Sequence, residues 1–352
     1  MTFDKRQTNI AKGVAVLLLL WHHLFYNDPK NYGKFISVLN INNVPIECLI
    51  AILCKICVAI FVFLSGYGLF RSYEKYVLQY YRKQNIKHDL IFIKNHLIKL
   101  MSGFWFIYVL FVSLGFCFGR NPIGIYESNI FYGLIDFMGL ASVFHTPTMN
   151  ATWWFMGLII ILYLVYPLLH KLLKKYPEAL LLTSFFILLL YFIPQLVNLR
   201  IYLFSFVLAM YISYYNAFSK LSLKLNKPIE CYYVIFLFFA IFLLMKRMIF
   251  INGTEIDGLF ALSIVLISFF IFSKIPVLNN VLELFGKYSG SIFMFHTFLI
   301  RYYFENIFYS LKYSIIIFIT SACLCLLVAI CIELVKKYTG YNKLMNGIFK
   351  LN

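Results

Sequence analysis

The sequence predicts an all-α, polytopic integral membrane protein, and three observations predict it. Hydrophobic residues make up 62% of the 352-residue chain and charged residues only 13%, about half the charge that a water-facing surface carries. Apolar runs of about 18–22 residues, the length a helix needs to cross a bilayer, recur from end to end with short polar breaks. The lysines and arginines fall between those runs, as topology signals do, and not in one patch. Length alone would suggest two or three domains. The recurring spans argue instead for one membrane domain over residues 1–352.

The first run, 10–27, follows Lys5, Arg6 and Lys12 and ends at His22 and His23. A signal peptide would end at a small-residue cleavage site, so this run is read as a retained first span. The second, 48–70, closes on Ser65, Gly66 and Gly68, small residues that let helices approach closely, with Arg71 at its cytoplasmic edge. A third follows at 98–118. Further spans are expected at 152–170, 179–197, 201–216, 231–248, 257–273, 288–309 and 314–335, about ten in all. The stretch 128–146 is apolar but carries Asp136, Gly133 and Gly139.

The positive-inside rule decides that stretch. If it spans, Lys171, Lys174, Lys175 and every strongly basic loop after them fall outside. If it does not, only Lys30, Lys34, Arg120, Arg200, Lys246, Arg247 and Lys312 lie outside, and the basic loops are cytoplasmic together with both termini. Residues 119–151 then form an extracytoplasmic loop, in which 128–146 re-enters or lies at the interface. Residues 72–97 form the one sizeable cytoplasmic loop.

The net charge of +17 is accounted for by these topology signals and by attraction to anionic headgroups, which leaves no case for nucleic acid. The eight cysteines, including the Cys54–Cys57 pair, read as small hydrophobes in apolar helices, with no disulfide framework and no metal-ligand spacing. No nucleophile elbow and no phosphate-binding glycine loop is present, which removes serine hydrolases and nucleotide-driven pumps.

Ionisable residues inside spans are costly and mark function. Lys12 and His23 are eleven residues apart, about 16 Å along a helix and nearly on one face. His296 and Arg301 lie in the span 288–309, with His296 eight residues past Tyr288, about 12 Å into the membrane. A histidine there needs a partner, and His22 or His23 in a shared polar cavity would supply one. The plainer readings are a snorkelling Lys12, interfacial histidines, and a His296 bonded to its own backbone. Trp153 and Trp154 read most simply as an aromatic belt.

Taken in order, IAKGVAVLLLLWHHLF (10–25), KICVAIFVFLSGYGLF (55–70), FIKNHLIKL (92–100), WWFMGLIIILYLVYPLL (153–169) and GKYSGSIFMFHTFL (286–299) resemble the membrane acyltransferase 3 family, whose members O-acylate cell-surface sugars. Lys12 stands where many members have arginine, His23 falls on the family's histidine, and His96 stands where an arginine is common. A lysine at position 12 lacks the arginine fork that grips a phosphate at two points. The sugar-esterase-like domain that longer members append is not in this sequence.

The resemblance implies an acyl-CoA-dependent O-acyltransferase, most simply an O-acetyltransferase, in a bacterial plasma membrane. Its co-substrate would be acetyl-CoA or another acyl-CoA, and its acceptor a hydroxyl of a cell-envelope glycan or lipid-linked sugar. Lys12, Arg71, Lys94, His96 and Lys99 would hold the polyanionic donor. His23 would serve as base or acyl carrier, with His22 beside it. His296 would orient His23, hold the acceptor or stabilise the oxyanion. Ser65, Trp154 and Arg301 would line the substrate cavity. No metal is expected. The rival from another class is a transporter or flippase of lipid-linked sugars, but paired Gly/Pro-broken helices in two halves are not seen. A glycan polymerase would need a larger, more charged outer loop, and in a structural subunit the buried histidines would be packing accidents.

Overall fold

In the computed structural model the described residues are 3–26, 32–80, 86–188, 197–224, 238–239 and 256–349, and most are helical. Six helical stretches are long and apolar enough to cross a membrane: Ile46–Gln79, Ile86–Cys117, Ala151–Lys175, Val197–Tyr214, Asp257–Lys274 and Ser314–Tyr338. The protein is therefore an all-α chain with multiple membrane-length helices. Of the other expected spans, 231–248 lies outside the described residues. The 179–197 run is described only as the helix Pro177–Ile187. The runs carrying His23 and His296 form helices of 20 and 22 residues that hold more charge, α1 (Lys5–Leu24) and a later helix, Pro276–Thr297. Exposed Leu164, Leu168 and Leu172 recur every four residues on the helix Trp154–Lys175. Such a stripe suits lipid and not water.

The chain folds into two compact units. The first comprises Met1–Ala15, Ile56–Ile93 and Leu158–Lys287; the second comprises Val16–Lys55, Lys94–Gly157 and Tyr288–Asn352. In the first unit, α1 begins at Asp4, whose carboxylate accepts from the Gln7 amide at 3.0 Å and so satisfies one of the free first-turn donors. The start of α1 packs against the start of Pro276–Thr297 through two glycines. A Cβ on Gly13 would stand 1.9 Å from the Leu282 carbonyl oxygen, and one on Gly286 would stand 1.8 Å from that of Asn9. The two backbones therefore touch, and Arg6 clamps the crossing with a 2.9 Å bond to Glu283 and bonds to Asn279 and Asn280. Gly66 does the same job for the helix Cys57–Tyr80 against Val197–Tyr214, where a Cβ would meet the Phe206 carbonyl at 2.5 Å. Gly68 has open space around it.

Helix boundaries differ from the sequence expectations in three places. Within 72–97 the described residues are helical: one helix runs on to Tyr80 and the next, α2 (Ile86–Cys117), begins at Ile86. The polar residues there continue helices beyond their apolar length. The second run holds as one membrane-length stretch, Ile46–Gln79, with a turn at Lys55–Ile56 between Ile46–Cys54 and Cys57–Tyr80. The His296 helix starts at Pro276, not 288, because Asn279, Asn280, Glu283 and Lys287 dilute its first half. His296 is thus twenty residues, about 30 Å, along that helix.

In the second unit, residues 119–151 form three short helices, Pro122–Ile125, Ile130–Phe137 and Ala141–Phe144. The longest has eight residues, about 12 Å, so no helix in 128–146 is long enough to cross a membrane. Its fold converges on fully buried Asp136, which accepts from Tyr126 at 2.7 Å, from the Thr148 hydroxyl at 2.8 Å and from the Met149 amide at 2.9 Å. Burial raises the Asp136 carboxyl to about 6, against the three donors that pull it down. A carboxyl whose folded value is raised contributes stability that is complete below its unfolded value and is lost as pH rises through about 6. The protein is expected to lose roughly 2–3 kcal/mol of stability from this group between pH 4 and 7.5. Melting curves in detergent should show that fall relative to Asp136→Asn, which cannot titrate.

Candidate active site

His22 and His23 occupy the last turn of α1, in the second unit. His22 Nδ1 lies 2.7 Å from the Ala51 carbonyl. His296 lies at the end of its helix, fully buried, with Nδ1 3.0 Å from the Ile292 carbonyl and 2.9 Å from that of Phe293. A carbonyl only accepts, so His296 Nδ1 carries the proton and, in the neutral ring, Nε2 presents a bare lone pair. That Nε2 is buried with no hydrogen-bond partner among the described residues. The His23 ring stands 4.8 Å from the His296 ring and 5.1 Å from that of His22, centroid to centroid. His23 is half-buried, and its ring makes no hydrogen bond among the described residues. Three imidazoles thus form one cluster, with a free acceptor at its buried end and an unclaimed ring in the middle.

The helix end behind His296 is held by the residues that follow the 119–151 segment. The Met294 carbonyl accepts from Trp153 Nε1 at 2.7 Å and from Asn150 Nδ2 at 3.2 Å. Thr152 and Thr297 hydroxyls meet at 3.0 Å. Trp153 is buried against Phe104, Tyr108 and Phe298, so it is an anchor for the His296 helix and not part of an aromatic belt. Trp153→Phe keeps most of the packing but leaves the indole's bond unmade. It is expected to cost about 1 kcal/mol, read as a lower melting temperature, and to slow any reaction that depends on His296. Past Thr297 the helix widens into a π turn, Phe298–Tyr303, with the Phe304 amide bonding to the Leu299 carbonyl. The wider turn brings Tyr303 over Phe298, ring centroids 5.5 Å apart, and both join Phe111 and Phe295 in one stack.

A family model described as an acyltransferase domain matches residues 7–334, which includes every residue of this cluster and nearly the whole chain. The chain belongs to the acyltransferase 3 family. No curated protein and no solved structure matches it. In this membrane acyltransferase the histidines singled out from sequence, His22, His23 and His296, stand together. Arg301 lies on the π turn and its charge acts on all three of them.

The other expected site residues are dispersed. Trp154 is in the same unit as the histidines, its carbonyl accepting from Ser142. Ser65 is in the first unit, bonded to Tyr163. Of the residues expected to bind acyl-CoA, Lys94, His96 and Lys99 lie on the second-unit part of α2. His96 and Lys99 are three apart and share a face. Lys94 points the other way, toward the Phe349 carbonyl at 3.5 Å. Lys12 and Arg71 belong to the first unit, Arg71 bonding to Asn216 at 2.7 Å. Among the described residues no cluster of His, Cys, Asp or Glu could hold a metal, and no two cysteines are joined in a disulfide.

The sequence reading missed a second polar cluster, in the first unit. His170 Nε2 donates to the Glu74 carboxylate at 2.8 Å, Lys174 donates to Glu74 at 3.0 Å, and Tyr73 donates to Asp89. Glu74 and Asp89 lie in the polar stretch 72–97, and His170 directly precedes the basic loop of Lys171, Lys174 and Lys175. The visible signal was two acids among basic residues at helix spacing. The sequence reading also missed Asn150, whose amide spans from the Thr152 hydroxyl to Met294.

Proposed function

We propose that this acyltransferase moves an acyl group from an acyl-CoA donor to a glycan hydroxyl, with His23 as the base and His296 as its positioning residue. The observation that carries the reading is the 4.8 Å approach of His23 to a His296 whose tautomer is fixed by two backbone carbonyls. An N–H of His23 turned toward the bare Nε2 of His296 leaves the other His23 nitrogen as a lone pair for the acceptor. That nitrogen takes the hydroxyl proton as the oxygen attacks the thioester carbonyl. The O–C bond forms, the C–S bond breaks, and the thiolate leaves with the electron pair and takes the proton back from His23. In the variant route His23 attacks the thioester first and hands the acyl group on. Because neutral His296 accepts at Nε2, it suits orientation of His23 better than donation to an oxyanion. His96 and Lys99 provide partners for the donor's phosphates.

The test is CoA release from acetyl-CoA and succinyl-CoA by protein in detergent, as a function of pH. His296→Gln, which lacks the Nδ1 donor, is expected to slow release about tenfold to a hundredfold and to shift the pH profile of the rate. An unshifted profile and an unchanged rate would remove His296 from the mechanism.

A further inference from the structure

Two arginines face one pocket beside the histidine cluster, and the chemistry described so far uses neither. The pocket has a volume of about 440 Å³ and is lined by Arg120, Asn121, Arg301 and Tyr302 together with the backbone of Gly119 and Gly124. This is within the size range of small-ligand sites. Asn121 adds a side-chain amide, and no acidic side chain lies among its lining residues. Arg120 is fixed in place: Nε donates to the Met149 carbonyl at 2.8 Å, and the guanidinium sits 3.7 Å from the centroid of the Tyr302 ring. Its terminal nitrogens remain for a ligand. Arg301 is exposed and has no carboxylate or hydrogen-bond partner among the described residues.

The backbone explains why Arg301 points here. It sits in the π turn, and such turns recur at functional sites because they re-aim side chains. The aromatic stack takes Phe298 and Tyr303 inward, which leaves Arg301 and Tyr302 on the pocket side. Five residues separate Arg301 from His296, about 7 Å along the axis. Its charge is felt at His22, His23 and His296. Two guanidiniums with no counter-charge, one rigid and one free, form a fork for an oxyanion.

We infer that this pocket holds an anionic group of the acyl acceptor, a phosphate or a carboxylate, so that the substrate is an acidic or phosphate-linked sugar and not a neutral one. The inference rests on the acyltransferase reading for the word acceptor, but the anion site stands on its own geometry. Lys12, Arg71 and the α2 cations have no part in it.

The experiment is calorimetric titration of the protein, in phosphatidylcholine nanodiscs, with inorganic pyrophosphate, glucuronate and glucose. At least one anion is expected to bind ten times more tightly than glucose. Arg120→Gln and Arg301→Gln should each weaken it tenfold or more, Arg301→Lys should recover part of the loss, and Lys312→Gln should change nothing. Preference for pyrophosphate identifies a phosphate-linked acceptor, and preference for glucuronate an acidic sugar. Binding lost in phosphatidylglycerol nanodiscs alone identifies a lipid headgroup as occupant and overturns the acceptor assignment. Glucose binding as well as the anions, or anion binding that survives both Gln variants, overturns the site. CoA release from acetyl-CoA, followed in the same variants, separates the two readings. Release without anion binding sinks the pocket and leaves the acyltransferase chemistry, whereas binding without release does the reverse.

Discussion

Replacing His23 by Ala is expected to lower CoA release by about 10²–10⁴, the contribution of a positioned base, while acetyl-CoA still binds. The asymmetry follows from the cluster. His22 is committed to the Ala51 carbonyl and His296 to two carbonyls of its own helix, whereas His23 has no claim on its ring nitrogens among the described residues. His22→Ala should therefore do much less, about 1 kcal/mol of stability from one lost hydrogen bond and a modest fall in rate. Direct measurement of acetyl-CoA affinity and of CoA release in both variants tests the ordering. Equal loss of release in His22→Ala and His23→Ala would assign the chemistry to the pair and not to His23.

The second large effect is on folding. Gly286→Val places a branched side chain where even a methyl would meet the Asn9 carbonyl at 1.8 Å, and Gly13→Val does the same at the Leu282 carbonyl. Overpacked cores typically cost about 1–3 kcal/mol when side chains can give way. Here the obstacle is helix backbone on both sides, so the cost should exceed about 3 kcal/mol, enough to lower the melting temperature by more than about 4 °C. Gly68→Ala is the control: it has open space and sits in a helix, so it should be neutral or stabilising by up to about 1 kcal/mol. If Gly286→Val melts with the wild type, the two helices do not cross at these glycines.

Much of this was legible from sequence because membrane burial makes polar residues conspicuous. His22, His23 and His296 stood out in apolar runs, and the structure brings their rings together. Hydropathy misplaced the ends of helices. It started the His296 helix twelve residues late, since Asn279, Asn280 and Glu283 look like a loop until Arg6 is seen bonding all three. It ended Cys57–Tyr80 near Phe70 because the following residues are polar. Trp153 read as an interfacial residue because a tryptophan at a span's edge has the same local pattern whether its N–H meets water or the Met294 carbonyl. Asp136 was seen, but its three donors come from residues 10, 12 and 13 positions away, a convergence that no periodicity encodes. Arg301 stands out in the sequence as a cavity residue, but its pairing with Arg120 does not, since the two are far apart in the chain.

The most direct measurement is thioester cleavage by wild-type protein in proteoliposomes supplied with acetyl-CoA or succinyl-CoA on the outside of inverted vesicles. Slow CoA release that rises when an acidic or phosphate-linked sugar is added, and that vanishes in His23→Ala, is the predicted result. No release and no binding of either thioester at millimolar concentration would contradict acyl-CoA as the donor.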